Sequence, residues 1–418
     1  MQTSSDRPRS ARLNAATYAA RAVSALSRAT GRGGGGVIGG RVLLALAPDA
    51  ARTLAAGRYV ALVSGTNGKS TTTAMLTAAL RTLGPADTNA DGANTPPGIT
   101  TALAHGDAGR VVLETDEGWL PWVVERTRPQ AALLLNLTRD QLTRNPEVAS
   151  VSNKWRAALD DVPLAVANCD DPDVVWPAMA AARQVWVAMG QRWTADSVLC
   201  PRCGGRCDRD GVRWSCAACG LTRPDPDWWL DGEELVAPDH RVKLSLTLPG
   251  EANLANAALA IAAASDAGAD TAEAARAIGE IRQVAGRYAS YDVDGKRVRL
   301  LLAKNPAGWL EATRMVSETP SPIVHRPIIL GFNSEGVDGR DPSWLYDVTF
   351  DALRGRDIVV YGKRGTDMTV RLEIDGFTGV EQFPSLEGAL RALPDGPVDV
   401  VANYSAFQDA RRWIGRGR

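Results

Sequence analysis

Histidine is the scarcest chemistry-bearing residue in this 418-residue chain: there are three, His105, His240 and His325, far apart in the sequence. Nothing local therefore suggests a histidine-rich metal centre. An excess of one charge is lacking too. Lys and Arg number 47 against 48 Asp and Glu, for a formal net charge of −1, so no general nucleic-acid footprint appears. No uninterrupted apolar run approaches the roughly 20 residues of a membrane span. The opening residues Met1 to Ser10 are polar and lack the apolar core of a secretory signal. The cytoplasm is the expected location. A hydrophobic fraction of 45% suits a soluble globular protein, and the length calls for two or three domains rather than one core.

Acids are almost missing from the first stretch. Residues 1 to about 52 are rich in Ala, Arg and Gly, and Arg12, Arg21, Arg28, Arg32 and Arg41 face one nearby acid, Asp6. Leu13, Ala16, Ala20 and Val23 line one side of an expected helix, which Gly31 to Gly40 then interrupts. A docking helix with a loop is the plain reading; adhesion to an anionic membrane surface is the sharper one. From Tyr59 the pattern becomes α/β. Tyr59–Val63, Val111–Leu113, Ala131–Leu135 and Leu164–Ala167 read as buried strands, and Ser70–Leu83 as a helix, which predicts a mostly parallel sheet covered on both faces. Val242, Leu244, Leu246 and Leu248 alternate as a strand before an Ala-rich helix from Asn253. A boundary falls near Arg282–Tyr288. Beyond it a second α/β series follows, with strands at Val298–Leu302, Ile328–Phe332, Ile358–Tyr361 and Val398–Asn403 and helices near Trp309–Val316 and Leu386–Leu393. The expected division is a helical and Gly-rich segment over 1–52, a central domain over 53–285 and a smaller C-terminal α/β domain over 286–418.

Five of the six cysteines lie between Cys200 and Cys219. Cys200-Pro-Arg-Cys203 and Cys216-Ala-Ala-Cys219 form two Cys-x-x-Cys knuckles separated by 12 residues. Four thiolates so arranged suit tetrahedral Zn²⁺ with every ligand position filled, a structural ribbon inserted over about 197–224. Cys207 is a spare, and a redox pair is the alternative for these thiols.

Gly65-Thr66-Asn67-Gly68-Lys69-Ser70-Thr71 sits between an expected strand and an expected helix. Glycines let the backbone N–H groups turn toward phosphate oxygens, and the helix N-terminus adds positive potential. Lys69 would neutralise the β and γ phosphates, and the Ser70 hydroxyl would ligate Mg²⁺. The loop is shorter than the Walker pattern, with Val63 where the first Gly of that pattern would stand.

This loop is similar to the Gly-Thr-Asn-Gly-Lys loop of the Mur ligases, and further segments resemble that superfamily in the expected order over about residues 60–290. The resemblance implies a central ATPase domain and the following roles. Glu114, in Leu113-Glu-Thr-Asp-Glu-Gly118, would hold the Mg²⁺ of ATP, with Asp116 and Glu117 able to share or replace it. Asn136-x-x-x-Asp140-Gln141 matches a family segment in which many relatives carry a metal-ligating His at the place of Gln141, so a second metal is not implied. Lys154 lies near the position of a carbamylated lysine in relatives and reads equally as a surface lysine. Asn168-Cys-Asp-Asp-Pro172 resembles a turn on the nucleotide side of the central domain. Asn253 would contact adenine while Asn256 caps or braces its helix. Arg287 would reach the ATP phosphates once the domains close. Asn94-Thr-Pro-Pro-Gly98 lies where relatives bind their acceptor, and suits a rigid loop equally well.

Three features resemble the branch of the superfamily that amidates lipid II: the early phosphate loop with no ordinary uridine-nucleotide domain before it, the inserted four-cysteine ribbon, and the C-terminal segments Leu302-Ala-Lys-Asn-Pro-Ala-Gly308 and Asp338–Asp347. This resemblance implies activation of a D-glutamate α-carboxylate by ATP and amidation by ammonia from a GatD-type glutaminase partner. Such a glutaminase needs a Cys, a His and an orienting acid; with so few histidines this chain is not expected to hydrolyse glutamine alone. Asp341 is the expected lent acid, ahead of Asp338 and Asp347, and a turn carboxylate is the plain alternative. Lys304 and Asn305 would sit near the acyl phosphate. Two rivals are an amino-acid ligase of the folylpolyglutamate synthase type and, in another class, a zinc-ribbon module that binds nucleic acid under a nucleotide switch. Arg202, Arg206, Arg209 and Arg213 favour the latter; Asp208, Asp210 and the balanced charge weigh against it, so no nucleic-acid partner is expected.

Overall fold

In the computed structural model of this chain the described residues are 10–29, 36–89, 93–140, 147–282, 288–318, 326–335 and 341–416. Arg287, Gln141, Asp338 and Arg32 lie outside them. The chain divides into two units: Met1–Thr138 with Glu147–Leu248 and Ala252–Arg282, and Arg139–Pro146 with Pro249–Glu251 and Gln283–Arg418.

The first unit opens with α1 (Ala11–Ala29), α2 (Gly36–Leu46) and α3 (Ala50–Ala55). The buried side of α1 is Leu13, Ala16, Thr17, Ala20 and Ser24, with Val23 only half-buried. The first helix does end at Ala29, before the glycine run, but the later glycines of that run, Gly36, Gly39 and Gly40, lie inside α2, and residues 30–35 lie outside the described residues. Two of these glycines serve close approach. A Cβ on Gly40 would lie 1.8 Å from the Pro97 carbonyl oxygen, and one on Gly39 2.0 Å from Ser24 Oγ, so small residues let α2 pack tightly on its neighbours α1 and α5.

Then come β1 (Tyr59–Ser64), α4 (Lys69–Arg81), β2 (Ala86–Thr88), α5 (Pro96–His105), β3 (Arg110–Thr115), α6 (Leu120–Thr127), β4 (Ala131–Leu134), α7 (Val148–Leu159), β5 (Leu164–Asn168), α8 (Pro172–Ala178) and β6 (Arg183–Val187). The strands form one sheet in the order β2-β3-β1-β4-β5-β6, all parallel. Buried continuously along β4 and β5, they read as apolar runs because both faces are covered. One core gathers Val60, Leu62, Val111 and Leu113 with Leu13, Leu43, Leu54, Ile99 and Trp155. On β1, β2 and β3 packs α4, which also meets α10.

A hairpin of β7 (Cys207–Asp210) and β8 (Arg213–Cys216) follows, then a three-stranded antiparallel sheet of β9 (Trp229–Asp231), β10 (Glu234–Ala237) and β11 (His240–Lys243), and helices α9 (Glu251–Asp266) and α10 (Thr271–Gly279). The strand expected over 242–248 stops at Lys243. Leu244 and Leu248 are nevertheless buried, held by bonds outside any ladder: Leu244 N–H to the Glu233 carbonyl at 2.8 Å and Thr247 Oγ1 to the Gly279 carbonyl at 2.8 Å.

The second unit contains β12 (Tyr288–Val293), β13 (Lys296–Leu302), α11 (Pro306–Glu318), β14 (Ile328–Gly331), β15 (Ile358–Tyr361), α12 (Gly365–Ile374), β16 (Glu381–Phe383), α13 (Leu386–Ala392), β17 (Gly396–Ala402) and α14 (Tyr404–Arg416). Its sheet runs β12-β13-β17-β14-β15-β16, parallel except for the β12–β13 hairpin. That hairpin turns through Asp294 (φ 45°) and Gly295 (φ 78°), the left-handed pair a two-residue loop demands. Cores lie on both faces, one around Trp309, Phe332 and Phe350, the other around Tyr361, Phe407 and Ile414.

Candidate active site

The loop after β1 lies at the strand ends of an open parallel sheet, where such sheets face a crevice. Gly68 caps the N-terminus of α4 at φ 85°, a left-handed conformation that favours glycine. A Cβ there would lie 2.7 Å from Asn256 Oδ1 and 2.9 Å from Leu135 Cδ2, so the loop has no room for a side chain at this point. The segment after β4 clasps the loop. Asn136 Oδ1 accepts from Asn67 N–H at 3.0 Å and Asn136 Nδ2 donates to the Asn67 carbonyl at 3.1 Å. Thr66 Oγ1 accepts from Thr138 N–H at 3.0 Å, and Asn67 Nδ2 donates to Thr138 Oγ1 at 3.3 Å. Asn136 thus behaves as an extra peptide group laid against the loop.

Lys69 is buried, and its Nζ donates to Glu117 Oε2 at 2.8 Å, to the Thr66 carbonyl at 3.2 Å and to the Gly65 carbonyl. Burial alone would lower its pKa; Glu117, by charge and hydrogen bond, and Glu114 and Asp116 more remotely, outweigh it and hold the ammonium above its ordinary value. The three acids at and just beyond the end of β3 therefore part company. Glu117 faces Lys69, Asp116 Oδ1 accepts from Gly118 N–H at 3.0 Å, and Glu114, also buried, accepts at Oε1 from Asn94 Nδ2 at 3.1 Å. Asn89 grips the Glu114 backbone from both sides, accepting its N–H at 2.7 Å and donating to its carbonyl at 2.8 Å. Trp155 Nε1 donates to the Glu117 carbonyl at 2.8 Å. Sequence reasoning missed Asn89 and Trp155: neither stands in a motif, and only the fold brings them to the acidic turn. Ser70 and Thr71 lie half-buried in the first turn of α4. In the Asn94–Gly98 segment the prolines open α5.

The Asn168–Pro172 turn supports rather than lines this loop. Asp171 Oδ2 accepts from Leu137 N–H at 2.9 Å, between the two residues that clasp the phosphate loop. Asp170 Oδ2 accepts from the N–H groups of Met189, Gly190 and Gln191 at 2.9, 2.7 and 3.3 Å, and its Oδ1 pairs with Arg223 at 2.8 Å. Asn256 is buried against Gly68, Asn253 is half-buried, and Lys154 is exposed on α7.

The sulfurs of Cys200, Cys203, Cys216 and Cys219 lie within 4.8 Å of one another, with Cys200–Cys219 at 3.6 Å and Cys203–Cys216 at 3.5 Å. A tetrahedral zinc with Zn–S near 2.3 Å needs sulfurs about 3.8 Å apart, so the donor set fits a metal ion. Both knuckles have one form: Gly204 N–H bonds to the Cys200 carbonyl and Gly220 N–H to the Cys216 carbonyl, each at 2.8 Å, with φ 74° at both glycines. Cys207 stands outside the four and packs with Trp214, Val175 and Leu221. Trp214 Nε1 donates to the Cys169 carbonyl at 3.1 Å, tying the hairpin to the Asn168–Pro172 turn.

In the second unit Lys304 pairs with Asp140, and Arg139 with Asp347 at 3.1 Å. Asn305 Oδ1 accepts from Gly308 N–H at 2.9 Å at the start of α11. Asp341 is exposed; its Oδ1 accepts from Ser343 N–H at 2.9 Å, and this bond, with the Ser343 hydroxyl, holds the carboxyl below its ordinary pKa. Tyr346, a few residues on, is 58% exposed.

A parallel sheet with a glycine-gated lysine loop, acids at the next strand end and a second α/β unit define an ATP-dependent ligase. The chain belongs to the Mur ligase superfamily: residues 63–198 match the Mur ligase middle domain and residues 302–407 the MurT ligase C-terminal domain. It is similar to the lipid II isoglutaminyl synthase (glutamine-hydrolyzing) subunit MurT of Streptococcus pneumoniae, 27% identical over 91% of this chain and 93% of that one. The subunit MurT of Staphylococcus aureus strain COL is 26% identical over 75% of this chain and 77% of that one. Among solved structures, MurF from Acinetobacter baumannii shares the fold with a TM-score of 0.65 at 17% identity, covering 90% of this chain and 80% of that one. MurF from Thermotoga maritima in complex with ADP does so with 0.61 at 16%, covering 91% and 85%.

Proposed function

We propose that this ligase amidates the α-carboxylate of the D-glutamate residue in lipid II to D-isoglutamine during peptidoglycan synthesis, with ammonia supplied by a GatD-type glutaminase in a heterodimer or larger complex. The observation that carries the reading is the pairing, in one chain, of the Lys69 phosphate cradle with a C-terminal unit that matches MurT ligases. A carboxylate is a poor acyl donor. Its oxygen attacks the γ-phosphorus of ATP and the bond to ADP breaks; ammonia then attacks the acyl carbon, phosphate leaves, and the added nitrogen loses a proton to water. Lys69 and the first-turn N–H groups of α4 would hold the phosphates, the amide of Asn253 the adenine, and Ser70 with Glu114 the Mg²⁺. The glycines at 65 and 68, where a Cβ would strike Leu135 or Asn256, fit a backbone that must approach a phosphate closely. Arg287 and Lys304 are proposed as further cations that stabilise the transferring phosphoryl group. Cys200, Cys203, Cys216 and Cys219 would hold a structural zinc. Because lipid II is membrane-anchored, the enzyme would work at the inner face of the cell membrane.

Asp341, exposed and held ionised by the Ser343 N–H, is proposed to orient the glutaminase histidine. The test is product mass from ATP and lipid II with either glutamine or ammonia as nitrogen source. Asp341→Asn should abolish glutamine-driven amidation of the complex and spare ammonia-driven amidation; loss of both would place Asp341 in the ligase site or the fold. Lys69→Ala should lower both by about 10²- to 10³-fold, the usual cost of removing a charge-stabilising donor, and unchanged turnover would end the proposal.

A further inference from the structure

Nothing in the ligase reaction accounts for the outer face of α1. At its spacing of four and three residues, Ala11, Ala15, Tyr18, Ala22, Ala25 and Leu26 fall on one side of the helix and all are exposed. Tyr18 is 71% and Leu26 65% exposed. The helix α2, packed against α1, adds exposed Val37 and Ile38 in its first turn. A surface helix of a free-standing protein would carry charge of both signs here. Instead, the stretch from Arg7 to Pro48 contains seven arginines and no acid, in a chain whose overall charge is −1.

Folding turns Arg12 and Arg21 toward backbone carbonyls rather than acids. Arg12 Nε donates to the Leu46 carbonyl at 2.7 Å and Arg21 to the Ala104 carbonyl at 3.0 Å. Both bonds fix direction without cancelling charge, and Arg41 is exposed on α2. Around the α1 helix Arg21 flanks the apolar stripe on one side and Arg12 on the other. An apolar stripe between cations is the pattern of a helix that lies in a bilayer interface, with its aromatic and aliphatic side chains among the acyl chains and its guanidinium groups at the phosphates.

We infer that α1, with the start of α2, is a docking surface for an anionic lipid bilayer. This deepens, and rests on, the reading that the substrate is lipid-linked. A second copy of the chain fits poorly, because it would set arginines against arginines. No helix of the described residues is long and apolar enough to cross a membrane, so attachment would be peripheral and reversible.

The test is co-sedimentation of the full chain, in complex with its glutaminase, with vesicles of phosphatidylcholine alone or mixed with phosphatidylglycerol. Binding should be roughly tenfold or more stronger to the anionic vesicles and fall at high salt, as surface attraction between arginines and lipid phosphates requires. The double variant Tyr18→Ser, Leu26→Ser should lose vesicle binding yet keep its Tm and its amidation of a water-soluble stem peptide. Equal sedimentation with both vesicle types, or full binding by the double variant, overturns the inference. So does light scattering that shows a dimer which the double variant dissolves. Failure to amidate the soluble peptide at all would instead count against the proposed reaction, with the vesicle result standing separately.

Discussion

Asp171 and Asp173 sit two residues apart at the start of α8, both buried, with Asp173 N–H donating to Asp171 Oδ1 at 3.0 Å. Burial pushes the Asp171 carboxyl up to about 6, against the backbone N–H groups of Leu137 and Asp173, which lower it. Burial, then the charges of Asp171 and Asp196, push Asp173 well above the ordinary carboxylate range. Asp173 Oδ2 has no hydrogen-bond partner among the described residues. Both acids favour the protonated form on folding, so their stabilising contribution is complete below the unfolded value of about 3.9 and is lost as pH rises through the folded values. Asp173→Asn cannot ionise and escapes that loss. Its Tm should exceed the parent's by a few degrees at pH near 7, where about 1 kcal/mol moves a domain of this size by roughly 2–4 °C. The gap should close as pH falls toward 4. Thermal melts across that range check it, and a variant less stable at neutral pH would show that the charges are compensated.

The elements are held by close approaches that composition does not announce. Gly40 in α2 lies where an added Cβ would meet the Pro97 backbone at 1.8 Å. Gly40→Ala should therefore lift α2 from α5 and cost about 1–3 kcal/mol or more, as overpacking does. Gly109→Ala, which opens into empty space, should not, and calorimetry of the two compares them directly. The same glycines explain where the sequence misleads. Read alone, a run from Gly31 to Gly40 is a breaker, because the cost of ordering glycine is visible in the sequence and a neighbouring helix is not. Val242 to Leu248 alternates as a strand does, yet Leu244 and Leu248 are buried without a ladder, since periodicity reports burial and not hydrogen bonding. The pair Asp294-Gly295 is a hairpin signal that local inspection suffices to find, whereas α12 opens without a side-chain cap. At the site, Lys69, Glu114 and the four knuckle cysteines stand in motifs whose spacing is itself the chemistry. Asn89 acts through side-chain hydrogen bonds to the distant Glu114 backbone, and no spacing in the sequence encodes it; Asn136 stands in a spaced segment, but its hydrogen bonds to Asn67 are not written in that spacing.

At the scale of the first unit, contacts run unbroken from the cysteine knuckles to the phosphate loop. Trp214 on the β8 strand bonds to Cys169, Arg223 pairs with Asp170, Asp171 holds Leu137, and Asn136 and Thr138 hold Asn67 and Thr66. Cys203→Ser, at the exposed knuckle position, should strip the zinc proposed for the knuckles, read by elemental analysis of the purified chain, and lower its Tm. Because the hairpin braces this turn, the KM for ATP should rise more than kcat falls; an unchanged KM in a metal-free protein would confine the ribbon to stability. The Lys69–Glu117 pair has its own consequence. Since the ammonium already rests against a carboxylate, the triphosphate of the proposed reaction would exchange one anion for another instead of meeting a bare cation. Recognition would then draw on the difference between two partners, and under the proposed reaction the turn bearing Glu117 would yield as the nucleotide settles, so that occupancy of the loop would be felt at the acids beside it.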